Sequence, residues 1–431
     1  MKIAIHTLGT RGDIQPYLAL ALGLKAAGHT VLIAAPTQYE AFIGGRGIPF
    51  SHLPGEFLDL MDTPEAKAAM AGGGGFAAGF KMIKQFKPIG RKQLKAEWQA
   101  AQQFQPDLII YHPKAIAALH IAERLSCPAV LASPLPGFTP TRQFASPMVP
   151  FRSVGPFNPL THTVMAEGAE AIFRKMIAEW RSSELNLPKK PANKLKPRAT
   201  LYAYSPSVLP SPSDWPDDVV VTGYWFLEEE RRWQPDPALQ AFLDAGEPPV
   251  YVGFGSMPGL DPAELTELVR QALSDAGKRG VLATGGGAIQ AGPAAPDLHI
   301  IEGAPHDQLF PLMSACVHHG GAGTTGASLR AGKPTIICPF FGDQPFWARI
   351  VRDLGAGPAP IDKKHLTSAL LAAAIIEATT NAGMARRAAE IGARIRQEHG
   401  VNNAIAHLER QGLLTPRSAP AAQTEPAAGR G

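Results

Sequence analysis

Ala315-Cys316-Val317-His318-His319-Gly320-Gly321-Ala322-Gly323-Thr324-Thr325 is the stretch that decides how this chain folds. Four residues, Ala315 to His318, read as a short strand. A glycine pair then turns the chain, and small residues and threonines open a helix. Small residues let a backbone approach a ligand closely, and a helix start offers free N–H groups and a positive dipole end to an anion. Thr324 adds a hydroxyl donor and His319 an imidazole. The stretch therefore reads as a phosphate cradle. It lacks the lysine of a P-loop and does not have G-x-G-x-x-G spacing.

Working outward, the strand belongs to a series. Pro249–Phe254, Gly280–Ala283, Leu298–Ile301, Ala315–His318 and Thr335–Pro339 read as strands with helical stretches between them. An earlier series holds Lys2–Thr7, Thr30–Ala35, Asp107–Tyr111, Ala129–Ser133, Leu201–Tyr204 and Val219–Thr222, with a helix over Pro16–Ala27 and Gly28 closing it. Two such series predict an α/β chain of two doubly wound domains with parallel sheets. Prolines at 206, 210, 212 and 216, then Glu228 to Arg232 and the Pro235–Pro237 pair, mark the junction. The expected division is residues 1–222, a linker at 223–236, a second domain at 237–411 whose last helix can pack back on the first domain, and a disordered tail at 412–431. Ala71–Gly75 reads as a mobile loop.

In doubly wound sheets, ligands sit beyond the carboxyl ends of strands, which selects further candidates. After the strand ending at Pro339 come Gly342-Asp343-Gln344-Pro345, where Asp343 and Gln344 can hold hydroxyl groups or Asp343 can simply cap the next helix. The first turn is Gly9-Thr10-Arg11-Gly12-Asp13-Ile14-Gln15-Pro16. Pro16 suits a first helical position, and the residues before it read as a polar loop. Asp13 is either a cap or a base facing the cleft, and Arg11 can reach a phosphate. Gly253-Phe254-Gly255-Ser256 ends the second series' first strand, where Ser256 can touch phosphate.

Composition excludes several classes. The 431 residues are 45% hydrophobic with mean hydropathy −0.04, which fits a folded chain. No run reaches the ~18 to 20 apolar residues of a membrane span. Lys2 leads straight into Ile3-Ala4-Ile5, so no signal peptide is expected. Cys127, Cys316 and Cys338 suggest neither a disulfide framework nor a zinc site. A reduced, cytoplasmic protein without a metal is expected.

The net charge of +4 is unevenly placed. Residues 76–100 carry Lys81, Lys84, Lys87, Arg91, Lys92 and Lys95 against Glu97 alone. Residues 188–200 carry Lys189, Lys190, Lys194, Lys196 and Arg198 with no acid. Each stretch is five positive charges in excess, so the rest of the chain is net negative. No nucleic-acid-binding module accompanies them, and no nucleic acid is expected as a partner. Lys81–Lys95 interleaves with Phe76, Phe80, Met82, Ile83, Phe86 and Ile89. That pattern suits a core-facing helix with a solvated lysine face, or peripheral contact with an anionic membrane at its inner face.

Taken together, Gly9–Pro16, the Gly253–Ser256 loop, Ala304-Pro305-His306-Asp307, residues 318–325 and residues 342–347 resemble, in order and spacing, the family 1 glycosyltransferases. The closest likeness is to the sterol 3-β-glucosyltransferase branch and to bacterial enzymes that glycosylate lipophilic natural products. It covers nearly all of residues 1–411 and is weakest over about 55–190.

The resemblance implies a GT-B fold, with two Rossmann-like domains facing across a cleft, acceptor mostly in the first and UDP-sugar mostly in the second. It also implies inverting, metal-independent transfer of a hexose, with the UDP-sugar as co-substrate and no cofactor. By position, Thr10, Arg11 and Asp13 line the donor–acceptor junction, and Ala304 and His306 approach the uracil. His319, Gly320, Gly321, Ala322, Gly323 and Thr324 hold the diphosphate, and Asp343 and Gln344 the hexose hydroxyls. Asp13 stands where many relatives have a catalytic histidine and is the expected base. Gly303 replaces a uracil-stacking tryptophan of plant relatives, and Ala327 their ribose-binding glutamate. A lipophilic acceptor would be met by the loops near Phe76–Phe86 and Ser133–Pro147. A sugar-nucleotide epimerase of the same fold, or a non-catalytic membrane- or partner-binding protein, are the alternatives.

Overall fold

The computed structural model describes residues 1–56, 75–228, 233–255, 257, 261–292 and 295–415, without the side chains of 75–87 and of Ala169. Ser256, most of the Ala71–Gly75 run, the center of the expected linker and the chain beyond 415 lie outside the described residues, as do the side chains of Phe76–Phe86.

The first series runs β1 (Lys2–His6), α1 (Arg11–Ala26), β2 (Thr30–Pro36), α2 (Glu40–Gly44), β3 (Phe50–Leu53), α3 (Gly75–Phe104), β4 (Leu108–Tyr111), α4 (Ala118–Leu125), β5 (Ala129–Ser133), α5 (Asn158–Ser183), β6 (Ala199–Tyr202) and β7 (Val219–Val221). The second runs α6 (Pro237–Asp244), β8 (Val250–Gly253), α7 (Pro262–Asp275), β9 (Gly280–Ala283), β10 (Leu298–Ile301), α8 (His306–Leu309), β11 (Ala315–His318), α9 (Ala322–Arg330), β12 (Thr335–Ile337), α10 (Gln344–Asp353), α11 (Ser368–Thr380), α12 (Ala382–Arg396) and α13 (Gly400–Arg410).

Among the described residues the strands form two parallel sheets, ordered β3-β2-β1-β4-β5-β6-β7 and β10-β9-β8-β11-β12. Their runs are short and apolar because both faces are covered by helices. Ile3 pairs with Val31 on one side and with Leu108 on the other, and all three are buried. In each sheet the order reverses beside the first strand of its series. β1 lies next to β4, and β8 next to β11. The crevices beyond the carboxyl ends of these pairs are the topological switch points, where ligands of such folds bind.

Two expectations are amended. Helix α1 starts at Arg11, and Pro16 lies inside it. The polar residues ahead of Pro16 are therefore the first helical turns rather than a loop, held by a reciprocal Thr10–Asp13 arrangement that closes the N-terminus. Phe50–Leu53 adds an edge strand to the first sheet that no alternation of polar and apolar residues announces.

One apolar core lies on the α1 side of the first sheet and takes in Ala404, Ile405 and Leu408 from α13. The chain thus crosses back after the second sheet. Glu398 anchors the crossing, its Oε1 accepting from the hydroxyls of Ser205 (2.6 Å) and Ser207 (2.9 Å). Another cluster bridges the two series, joining Tyr202, Tyr204, Trp215 and Tyr224 to Phe346 and Trp347 of α10. Trp347 is fully buried there.

Candidate active site at the facing switch points

At the switch point of the first sheet, Asp13 is held by three residues. Its Oδ2 accepts from the Thr10 amide at 2.8 Å and from Lys114 Nζ at 3.0 Å, and its Oδ1 lies 3.2 Å from His112 Nε2. His112 and Lys114 follow β4, the neighbor of β1, which is why they meet a residue a hundred positions away. The amide of Lys114 donates to His112 Nδ1 at 3.1 Å, so the imidazole carries its proton on Nε2 and donates it to Asp13. Gly9 makes this approach sterically feasible. Its φ is +131°, and a Cβ there would overlap the Asp13 carboxylate and crowd Lys114. Burial raises the Asp13 pKa, but the charge of Lys114 and the bond and charge of His112 outweigh it. The carboxyl is held well below the usual carboxylate range. Asp13 is thus both the helix cap and the cleft carboxylate.

At the second switch point, β11 ends in two histidines with different duties. His318 is fully buried; its Nδ1 accepts from the Gly320 amide at 3.0 Å and its Nε2 meets Ser328 Oγ at 3.2 Å. It fixes the turn. His319 is half-buried, and its Nδ1 is enclosed with no partner among the described residues. Burial pushes its pKa down to about 4, so it is a neutral imidazole near pH 7. A buried ring nitrogen without a partner costs free energy unless something supplies one. The turn reaches helix α9 through Gly320, whose φ of +93° leaves no room for a Cβ against Ile337. Thr325 is the first residue to donate back, to Gly321 O at 2.9 Å, which leaves the amides of Ala322, Gly323 and Thr324 unclaimed by the helix. The loop after β8 lies alongside, with Gly255 facing His319.

The halves meet across the cleft. Asp343 is partly buried, and its Oδ2 accepts from Trp347 Nε1 at 2.9 Å. Its pKa is raised, by burial first and also by the charge of Asp13, while Lys114 opposes the rise. His306, whose pKa burial pushes down to about 4, feels the charge of Arg11 and the nearness of His319. It stacks on Phe310 at 4.3 Å beneath the half-buried Ala304. Arg11 lies over the Phe42 ring and donates from Nε to Gln15, while Thr10 is exposed at the rim. Gln344 has a different duty from the one its position suggests. It is 4% exposed; its Oε1 accepts from the amides of Phe340 (2.7 Å) and Phe341 (3.1 Å), and its amide meets Met257 Sδ. Its side chain is consumed tying the turn, because two amides at the end of β12 would otherwise be buried unpaired. A surface hollow lined by Ala122, Cys127, Ala129 and Arg198 lies at the opposite, amino end of the first sheet and takes no part in this cleft.

Two parallel sheets whose switch points face each other, one presenting a carboxylate and the other a helix-start anion cradle, define a GT-B architecture. Residues 3–142 match the glycosyltransferase family 28 N-terminal domain, and residues 289–402 match the erythromycin biosynthesis protein CIII-like C-terminal domain. The sterol 3-beta-glucosyltransferase of Aspergillus fumigatus is 39% identical over 432 residues, covering 95% of this chain but 30% of that protein. The chain thus spans under a third of the relative it matches. The calicheamicin glycosyltransferase CalG4 superposes with a TM-score of 0.72 at 19% identity, over 96% of this chain and 99% of that one. The glycosyltransferase VinC, in complex with dTDP, gives 0.65 at 19% identity over 95% and 99%. The chain thus has the GT-B fold of these glycosyltransferases.

Proposed function

We propose that this protein transfers a hexose, glucose in the first instance, from a UDP-sugar to a hydroxyl of a lipophilic acceptor such as a sterol or a polycyclic natural product. The transfer is inverting and needs no metal. The observation that carries the reading is the Asp13 carboxylate at one switch point opposite the open start of α9 and His319, whose Nδ1 has no partner among the described residues, at the other.

Asp13 accepts the proton of the acceptor hydroxyl as that oxygen bonds to the anomeric carbon. The bond from that carbon to the diphosphate breaks, and its electron pair leaves with UDP. The amides of Ala322, Gly323 and Thr324, the helix dipole and a proton donor on His319 meet the charge that develops on the leaving group. Held below the usual range, Asp13 is a weak base, so it takes its proton late, once the acceptor oxygen has acquired positive character. His112 keeps its proton on Nε2 and orients the carboxylate. Ala304 and His306 flank the nucleobase, Thr10 and Arg11 the junction, and Asp343 the hexose.

The test is incubation with UDP-glucose and a panel of hydroxylated sterols and polycyclic aglycones, read by mass spectrometry, with NMR of the product's anomeric center. A hexose gain with inverted configuration is expected. Retention, or an epimerised nucleotide from UDP-glucose alone, would overturn the reading. Asp13→Asn should lower transfer by at least ~100-fold while leaving UDP affinity by calorimetry nearly unchanged.

A further inference from the structure

Thirteen large apolar residues are exposed among the described residues, and nine of them fall between Phe138 and Ile172. On α5 and the residue before it they recur at helical spacing: Phe157 is 66% exposed, Leu160 57%, Val164 58% and Ile172 46%. The same helix is ordinary further on, where Met176, Ile177 and Trp180 are buried and Met176 packs close to Gly90 of α3. One end of α5 is therefore core, and the other presents an apolar stripe continuous in sequence with exposed Met148, Phe151 and Val154. A contiguous face of this kind is costly in water and marks a contact surface.

Both basic stretches converge on this helix. Arg91 of α3 pairs with Glu179 at 3.0 Å, and Lys194 of the second stretch pairs with Glu167 at 2.9 Å, so two of the helix's carboxylates are already neutralised. Lys95, Arg174, Lys175, Lys189, Lys190 and Lys196 are exposed, with no carboxylate at ion-pair distance among the described residues. The loop ahead of α5 is also tied to the second series, since Arg152 pairs with Asp353, the last residue of α10, at 3.3 Å and Arg349 donates to Pro150 O.

We propose that the amino-terminal half of α5 and the loop before it form a docking face for an anionic lipid bilayer. Phe157, Leu160 and Val164 enter the acyl boundary while Arg174, Lys175 and the lysines of residues 189–196, placed along the rest of the helix, meet the headgroups. The apolar stripe supplies insertion and the lysines supply lipid charge selectivity. The face stands independently of the transfer reaction. If that reaction holds, it keeps the protein at the bilayer in which such an acceptor dissolves.

Co-sedimentation of the full chain with phosphatidylcholine vesicles, with and without phosphatidylglycerol, tests it in the absence of donor and acceptor. Binding is expected only with the anionic lipid and should fall with added salt. Leu160→Asp/Val164→Asp and Lys189→Gln/Lys190→Gln/Lys196→Gln should each reduce partitioning about tenfold, with unchanged melting because every altered side chain is exposed. No binding to anionic vesicles, or equal binding by the aspartate variant, overturns the proposal. So does a concentration-dependent dimer, seen by light scattering, that the aspartate variant abolishes, since the stripe would then serve a second copy of the chain. Loss of vesicle binding with intact transfer to a detergent-dissolved acceptor separates this face from the reaction.

Discussion

In the proposed reaction Asp13 receives a proton while Thr10, His112 and Lys114 stabilise its negative charge, and Lys114 has the largest share in this. Its folded pKa is depressed, so the ionised form stabilises the protein above the ordinary carboxylate value. That contribution is lost only as pH falls through the lower folded value. Lys114→Met removes the largest of the lowering influences and leaves burial to act. The acid limb of the pH–rate profile should move to higher pH, while a lysine that merely packed would leave it in place. His319 makes the complementary case. With a pKa near 4 in the free protein, it should be pulled upward by a diphosphate beside it. UDP binding at about pH 5 should therefore take up a proton, visible as a buffer-dependent binding enthalpy, and His319→Asn should abolish the uptake. Asp13 and His319 were legible in the sequence because each follows a strand and opens a helix. His112 and Lys114 were not, because their relevance depends on β4 lying beside β1, and strand order is not written in local spacing. The signal available was the polar His112-Pro113-Lys114 run directly after a strand.

Among elements, the sequence registered strands better than helix starts. Apart from the edge strand Phe50–Leu53, the strand runs are short and mostly apolar, so their reading needed no periodicity. Pro16 suggested a boundary, yet the Thr10–Asp13 reciprocity starts α1 five residues earlier and outweighs the amide that proline lacks. Of the paired histidines the sequence reading singled out His319, and burial separates it from the turn-holding His318. Helix contacts were invisible. Gly23 sits inside α1 where α13 crosses, and a Cβ there would overlap Val401. Helix propensity alone favors Gly23→Ala by up to ~1 kcal/mol. The overlap should reverse that sign and destabilise by about 1–3 kcal/mol in denaturant titration. Val401→Ala in the same chain should restore much of the loss.

At the scale of the whole molecule, the two-sheet architecture followed from counting strand series, and a return of the last helix to the first domain was expected, but not the residues that seat it. No local pattern announces that α13 completes the first core. Ala404, Ile405, Leu408, Leu413 and Leu414 all belong to it, and Glu398 fastens the crossing to Ser205 and Ser207. A chain ending at Gln397 should therefore lose stability in the first half as well as the second. Hydrogen exchange should report this as lost protection in α1 and β1, hundreds of residues before the cut along the chain. The crossing also governs how the protein is made. A ribosome delivers residues in order, and domains generally fold as they emerge. Here the first domain waits, with one side of α1 uncovered, until the entire second domain has been synthesised. Its nascent form is thus a natural client for chaperones, and slowing translation should prolong that exposure instead of easing folding.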